Sequence, residues 1–275
     1  MPNDGGHLLL DMDQAAGAIR DYGVRHEFIR PFVGSREFIN GLQRRCVWVC
    51  DSDRETANGN AWLRSRFEAV EMTRRASSRT TTTKLGNMPY RFGEVRQTGD
   101  ETVTIVPSVS SERREYLPVG YSAPGTIVSN LAFALYDAPL WSLALLASRL
   151  HLVWITTVCG KLKTDFRYSN TLGWNTFPVP TLTEKNKADL THCAEDILLA
   201  REAHFPATIA DLYDPDNMPE NLRHAHERND EVLERIYLGR RFKNDTERLE
   251  KLFDLYTKMT TSAGPARKRK AEAGA

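Results

Sequence analysis

The first two thirds of the chain mix two kinds of hydrophobic spacing. Residues 45–50 and 102–107 are rich in β-branched and aromatic side chains, which predicts strands. Residues 61–77 carry apolar side chains at helical spacing among arginines, which predicts an amphipathic helix. Residues 140–153 are apolar over most of their length without an interrupting residue, and they predict one buried helix.

After Pro180 the pattern becomes helical. A first helix is predicted to begin at Thr183, a residue type that caps helix N-termini, and to run to about His204. A second is predicted over residues 219–237 with Gly239 as its C-terminal cap, and a third over residues 245–259. The predicted fold class is therefore α+β, with a mixed α/β domain followed by a small, all-α, three-helix domain.

These changes in pattern also predict the domain limits. Residues 1–28 look too short and irregular to fold alone, residues 29–180 form the mixed domain, and residues 181–261 form the helical domain. Residues 262–275 contain the basic run Arg-Lys-Arg-Lys and no large apolar side chain, so they are predicted to be a disordered tail.

Composition limits the class of protein. A chain of 275 residues that is 41% hydrophobic can bury one large core or two modest ones, and its net charge of +1 gives no overall attraction to nucleic acid. The four cysteines have no partners at zinc-ligand spacing. No signal peptide or run of eighteen apolar residues occurs, which predicts a soluble, cytoplasmic protein with reduced thiols and no membrane partner.

The positive charge is concentrated in one stretch. Residues 64–96 contain eight basic and three acidic side chains. Such an excess can bind DNA phosphates if it lies on one face. The candidate phosphate contacts in this stretch are Arg74, Arg75, Arg79 and Lys84. A solvated basic loop explains the same composition equally well, so both interpretations stay open.

A second charged pattern has the spacing of a strand. Lys163, Asp165 and Arg167 alternate with Thr164 and Phe166, so an extended backbone would present all three charges on one face. Cations can bind guanine O6 and N7, and a carboxylate can accept from cytosine N4, which makes the three residues candidates for reading DNA bases. A charged strand edge that discourages aggregation is the structural alternative.

Catalytic motifs are not found. An adenine-N6 methyltransferase needs a glycine-rich loop for S-adenosylmethionine and an Asn-Pro-Pro-Tyr type tetrapeptide. The nearest imitation, at residues 87–90, lacks the first proline and is predicted to be a turn. His151 lies in an apolar run and is predicted to be a hydrogen-bonded core residue. We therefore predict no catalytic residue, bound metal or cofactor in this chain.

Ordered motifs over residues 30–180 resemble a known family. They occupy residues 30–34, 39–41, 45–49, 106–118, 148–154, 160–162, 167–169 and 175–180. In this order they resemble the motifs of the MmeI-like (type IIL) restriction–modification DNA methyltransferases. Departures are few: Lys161 stands where Arg is usual, Val179 stands where Trp is usual, and Gly173-Trp174 replaces an aliphatic–Tyr pair.

The resemblance implies a target-recognition domain at residues 29–180 and a helical C-terminal domain at 181–261. Residues 1–28 would then be the remnant of a connection from a methyltransferase domain that this chain lacks. S-adenosylmethionine would be the cofactor of the parent enzyme. The implied partners are double-stranded DNA and, in a split system, a separate methyltransferase chain.

With DNA recognition as the hypothesis, the charged residues can be given roles. Phosphate contacts would come from the basic stretch together with Arg113 and Arg114, and base contacts from Lys163, Asp165 and Arg167. Their expected shared face and their complementary charge predict that Lys163 and Asp165 together read one G·C pair, with the lysine on guanine and the carboxylate on cytosine. The alternative is a non-catalytic adaptor whose C-terminal helices form a docking bundle. The adaptor would show no salt-dependent affinity for DNA.

Overall fold

A computed structural model describes residues 2–262. The strands are β1 (Leu9–Leu10), β2 (Ile29–Val33), β3 (Arg45–Val47), β4 (Val103–Pro107), β5 (Val109–Ser110), β6 (Gly120–Ser122), β7 (Ile127–Val128), β8 (Ala132–Tyr136), β9 (Gly160–Leu162) and β10 (Asp165–Arg167). The helices are α1 (Met12–Arg20), α2 (Ser35–Asn40), α3 (Arg54–Gly59), α4 (Ala61–Arg75), α5 (Thr80–Lys84), α6 (Trp141–Leu146), α7 (Arg149–Val158), α8 (Glu184–Glu202), α9 (Ile209–Leu212), α10 (Glu220–Leu238) and α11 (Asp245–Ser262).

The chain divides into two compact units. Unit 1 consists of residues 2–109, 118–139 and 205–217, and unit 2 consists of residues 110–117, 140–204 and 218–262. Small sheets, short helices and a helical C-terminal region give the α+β class that the sequence predicts. The disordered tail was predicted at residues 262–275, and all of it except Ser262 lies outside the described residues.

Unit 1 contains two small sheets. In the first, with strand order β1-β3-β2-β7, the first three strands are antiparallel and β7 adds to β2 in parallel. In the second, the fully buried β4 pairs antiparallel with β6 on one side and β8 on the other. Both predicted strands of this region are therefore confirmed, with observed limits of Arg45–Val47 and Val103–Pro107.

The first 28 residues contribute to the core of unit 1. Leu8 and Leu10 are buried, and the β1 backbone pairs with β3. Ala15 and Ala18 on α1 are also buried, and Asp11 caps that helix by accepting from the backbone N–H of Gln14. The segment is thus part of unit 1. That residues 1–28 are the remnant of a connection from a further domain stays a prediction.

Helix α4 confirms the amphipathic helix predicted over residues 61–77. Asn60 caps it by accepting from the backbone N–H groups of Trp62 and Leu63. Leu63, Phe67 and Val70 lie on its buried face. Burying each of these side chains contributes roughly 1.5–3 kcal/mol, so packing holds the helix in place.

Unit 2 corrects the single helix predicted over residues 140–153. The structure has two helices, α6 and α7, separated at Ala147 and Ser148. The Ser148 hydroxyl donates to the Leu145 carbonyl (2.7 Å) and accepts from the His151 backbone N–H (3.1 Å). One serine therefore ends α6 and begins α7, which the uninterrupted apolar pattern conceals.

The three predicted C-terminal helices are confirmed as α8, α10 and α11. Thr183 caps α8 by accepting from the Asn186 backbone N–H. Gly239 ends α10 with φ of 82°, a left-handed conformation that favours glycine. Helix α8 packs between α6 and α10, and α11 packs on α7, so the C-terminal helices share one core with residues 140–158. None of the helices within residues 2–262 is long and apolar enough to cross a membrane.

Candidate nucleic-acid interface

The predicted base-reading residues lie on a β-hairpin in unit 2. Strands β9 and β10 pair antiparallel, with Asp165 opposite Leu162 and Arg167 opposite Gly160. Lys163 and Thr164 form the two-residue turn, and Lys163 has φ of 58°. A hairpin turn of this length requires positive φ, usually supplied by Gly or Asn. We refer to residues 160–167 as the reading hairpin.

This geometry corrects the predicted strip of three charges on one strand face. Asp165 and Arg167, two residues apart on β10, do share a face. Lys163 belongs to the turn and not to the strand, because the chain reverses there. The lysine therefore lies at the tip of the reading hairpin, beyond the strand face that carries the other two charges.

The three charges have no partner within the described part of the chain. The side chains of Lys163, Asp165 and Arg167 make no ion pair or hydrogen bond with residues 2–262, and those of Lys163 and Arg167 are exposed. The opposite face of the hairpin is different. Lys161 Nζ lies 3.3 Å from Glu112 Oε2 and 5.6 Å from the centre of the Phe166 ring. One face is thus attached to the protein, and the other is available to a ligand.

A buried aromatic cluster fixes the base of the reading hairpin. Tyr168, which follows Arg167 directly, shares a hydrogen bond of 3.1 Å between its hydroxyl and His151 Nε2. The rings of Trp174 and Phe177 meet His151 edge-on. Burial lowers the pKa of His151 to about 3, so the imidazole is neutral. The predicted hydrogen-bonded core histidine is confirmed, and it attaches the hairpin to α7.

Arg113 and Arg114 lie on a segment that is held next to the reading hairpin. The Lys161–Glu112 ion pair joins this 110–117 segment to β9. Arg114 Nη1 donates to Ser110 Oγ (3.3 Å), and Arg113 is exposed. Glu112, Arg114 and Phe166 line the same cleft of about 280 Å³. The structure therefore places the segment with these two predicted phosphate contacts against the hairpin face opposite the one that carries Asp165 and Arg167.

The other end of the 110–117 segment is fixed by the helices of unit 2. Tyr116 stacks on His226 of α10, with ring centres 4.2 Å apart. Arg149 Nη1 donates to the Glu115 carbonyl (3.3 Å), and the Glu115 carboxylate forms an ion pair with Arg223 of α10. The segment that carries Arg113 and Arg114 is consequently positioned before any ligand binds.

The structure corrects the prediction that Arg74 contacts DNA phosphates. Its side chain is 0% exposed, and its guanidinium donates to five backbone carbonyls, those of Pro2, Asn3, Leu85, Met88 and Arg91, at 2.7–3.1 Å. Burial lowers the pKa of Arg74 from its usual value. The N–H groups that would bind a phosphate are engaged inside unit 1, so Arg74 is a structural residue in this fold.

The remaining candidates of the basic stretch differ in how they are engaged. Arg75 forms an ion pair with Glu71 (2.7 Å) and donates to Asn87. Arg79 and Lys84 flank α5, are exposed, and have no side-chain partner within the described residues. The other arginines of the stretch contact protein groups: Arg64, Arg66, Arg91 and Arg96. Arg79 and Lys84 stay the best candidates for phosphate contacts in unit 1.

The lack of an S-adenosylmethionine site in this chain stays a prediction. The one Gly-Gly pair, Gly5-Gly6, lies in a turn closed by Asp4, whose carboxylate accepts from the backbone N–H groups of Gly6 (3.1 Å) and Leu8 (2.6 Å). A loop that already binds its own carboxylate does not fit an anionic or carboxylate-bearing cofactor. Residues 2–262 also contain no group of three or more His, Cys, Asp or Glu side chains arranged for a metal ion.

Sequence reasoning did not identify Leu162 as part of this surface. Its side chain is 51% exposed, and the strand register places it opposite Asp165. The apolar character of Leu162 gave no functional signal by itself. Only the position of the turn, which the sequence does not mark with Gly or Asn, shows that Leu162 and Asp165 are neighbours.

Comparisons with known proteins agree with this architecture. Residues 1–181 match the family model "MmeI, target recognition domain", and residues 182–263 match "MmeI, C-terminal domain". The chain is 40% identical over 260 residues to DNA methyltransferase A of Bacillus subtilis (strain 168), covering 94% of this chain and 29% of that protein. It is also similar to the Type IIL restriction-modification enzyme MmeI, whose structure was solved in complex with DNA. That similarity has a TM-score of 0.87 and 31% identity, and covers 94% of this chain and 35% of the MmeI chain.

The chain thus spans about a third of the length of each of these relatives. Both family models match without a gap between them, and together they cover the described residues. The chain belongs to the MmeI family and contains its target recognition and C-terminal domains.

Proposed function

We propose that this chain is a sequence-specific recognition module for double-stranded DNA, serving an adenine-N6 DNA methyltransferase or restriction–modification protein. The observation that carries the proposal is the reading hairpin, which presents Lys163 at its tip and Asp165 and Arg167 on its outward face, all three without side-chain partners among residues 2–262. Family membership and the likeness to an enzyme solved with DNA support the same function. S-adenosylmethionine would be bound by the methyltransferase that the module directs, and the cytoplasmic location stays a prediction.

In this proposal, one set of residues positions the DNA duplex and another set reads its base sequence. Arg113 and Arg114 lie beside the hairpin and would bind phosphates, which fixes the register of the duplex but carries no sequence information. Lys163, Asp165 and Arg167 would contact base edges in the major groove, where donors and acceptors distinguish all four base pairs. Arg79 and Lys84 would add phosphate contacts from unit 1.

The first test is the salt dependence of DNA binding. We expect the full chain to bind duplex DNA with an affinity that falls steeply as salt rises, and the slope of log K against log salt to decrease by about 1 in Arg113→Gln. Fluorescence anisotropy from 50 to 200 mM salt measures both. Arg235→Gln is the matched control, because Arg235 is an exposed arginine of α10 that already pairs with Glu231. If the chain shows no affinity at the lowest salt, the adaptor alternative replaces this proposal.

The second test concerns base reading. Exchanging the charges, with Lys163→Glu and Asp165→Arg together, should change the preferred base pair at one position of the site. The discrimination between the old and new pairs is expected to be about 1–3 kcal/mol. Selection of bound sequences from a random duplex library measures the preference of the native and exchanged chains.

The same exchange made elsewhere gives the control. Asp254 and Lys258 form an exposed ion pair on α11, 2.7 Å apart, so Asp254→Arg with Lys258→Glu reverses the same charges outside the reading hairpin. This control should leave the selected site unchanged. An unchanged site in the Lys163/Asp165 exchange would show that these residues do not read bases.

A further inference from the structure

The outward face of the reading hairpin carries an apolar side chain among its charges. Cross-strand partners in an antiparallel pair lie on the same face, with Cβ atoms about 4.5–5.5 Å apart. Leu162 is therefore next to Asp165, while Gly160 opposite Arg167 adds no side chain. A ligand bound at Asp165 would meet an apolar group on one side of that carboxylate.

Folding does not account for Leu162 at this position. All three residues of β9 are exposed, and Leu162 is 51% exposed. The opposite face carries the protein contacts, with Phe166 lining a cleft beside Val153 and Thr156 of α7. An exposed leucine beside three charged residues that have no side-chain partner among residues 2–262 is instead the composition expected of a surface that contacts a partly apolar ligand.

The chemistry of the major groove provides such a ligand. Cytosine presents its N4 donor in the major groove. C5 also lies on that edge of the base, because it is the ring atom next to the carbon that carries N4. A methyl group on C5 distinguishes thymine and 5-methylcytosine from uracil and cytosine, and proteins read it by apolar contact. A carboxylate placed on N4 thus brings its nearest side-chain neighbour to C5.

We propose that Leu162 is a further specificity-determining residue that contacts the C5 edge of the cytosine read by Asp165, so that the module binds this cytosine more tightly when it is 5-methylated. The inference rests on the proposed function, because it needs Asp165 to read a base. Burying one methyl group against Leu162 should tighten binding about fourfold.

The experiment uses the full chain and a duplex containing its selected site. Each cytosine of the site is replaced in turn by 5-methylcytosine, and dissociation constants are measured by fluorescence anisotropy. We expect one position at which methylation tightens binding about fourfold, and we expect it to be the position whose preference changes in the Lys163/Asp165 exchange. The effect should disappear in Leu162→Ala and persist in Leu162→Met.

Leu199→Ala is the matched control, since Leu199 is 61% exposed on α8 and away from the hairpin. It should retain the methylation effect in full. Sequence-specific binding without a methylation effect, a weakening by methylation, or an effect that survives in Leu162→Ala would overturn the inference and leave the proposed function standing. Absence of DNA binding by the native chain would overturn both.

Discussion

Arg74→Met is expected to lower the free energy of unfolding of unit 1 by about 3–5 kcal/mol. The substitution retains much of the apolar stem but removes the guanidinium that satisfies five backbone carbonyls. Each buried acceptor left without a donor costs about 1–3 kcal/mol, and local opening to water recovers part of that cost. The carbonyls belong to residues 2–3 and 85–91, so both segments should loosen together.

Arg75→Met is the matched control for this prediction. Arg75 is the next residue on the same helix, is half exposed, and pairs with Glu71, so its loss should cost less than about 1 kcal/mol. Urea denaturation followed by tryptophan fluorescence, to which Trp48 and Trp62 of unit 1 contribute, measures each variant. Equal urea midpoints for Arg74→Met and Arg75→Met would contradict the structural role of Arg74. A reduced salt slope of DNA binding at unchanged stability would instead restore Arg74 as a phosphate contact.

The sequence did contain a signal for Arg74. Leu63, Phe67, Val70 and Arg74 follow one another at spacings of four, three and four, which is the stripe of a single helix face. The apolar stripe of α4 therefore continues onto Arg74 and not onto Arg75. Composition alone does not distinguish Arg74 from Arg75. Their positions on the helix decide that Arg74 is the buried one.

The two other corrections concern a hairpin turn and a break between two helices, neither of which interrupts the charge or apolar pattern of the sequence. Lys163 adopts a left-handed conformation without being Gly or Asn, so the period-two charges appeared to continue through the turn. Ser148 divides the apolar run of residues 140–158 because its hydroxyl bonds to both adjoining helices. Local pattern predicts element type well here, but such breaks depend on hydrogen bonds that the pattern does not encode.

The predictions that held depended on strong local signals. Thr183 and Gly239 marked their helix ends correctly, and the apolar spacing of α4, α8, α10 and α11 placed those helices within a few residues. The residues that contact the reading hairpin could not be predicted in this way. His151 and Tyr168 are seventeen residues apart in sequence, and Glu112 and Lys161 forty-nine apart. Only the tertiary structure brings them together, because nothing in local spacing specifies such partners.

Glu234→Ala is expected to destabilise unit 2 by about 3–5 kcal/mol. The Glu234 carboxylate is 0% exposed and accepts from Arg248 Nε (2.9 Å), Arg241 Nε (3.1 Å) and the Phe242 backbone N–H (3.1 Å). Its removal leaves the mostly buried Arg248 with Asp245 as its remaining carboxylate partner and leaves the buried Phe242 N–H without its acceptor. Glu231→Ala on the exposed side of α10 removes only a surface ion pair with Arg235 and should cost less than about 1 kcal/mol.

The consequence should extend to the 110–117 segment, because the ion pairs continue from α10 towards it. Arg248 also pairs with Asp245 (2.8 Å), Asp245 pairs with Arg149 (2.6 Å), and Arg149 donates to the Glu115 carbonyl. The C-terminal helices would then position Arg113 and Arg114, and they would not form an independent docking bundle.

A double-mutant cycle tests this continuity, with Glu234→Gln and Asp245→Asn made singly and together. Contacting residues in one network couple by about 0.5–3 kcal/mol, whereas independent sites add. We expect coupling in urea denaturation and, under conditions where every variant is folded, the same sign of coupling in DNA affinity. Coupling in stability without coupling in affinity would confine the network to folding. Additivity in both would show that α10 acts on the 110–117 segment through other contacts, such as the Tyr116–His226 stack and the Glu115–Arg223 pair.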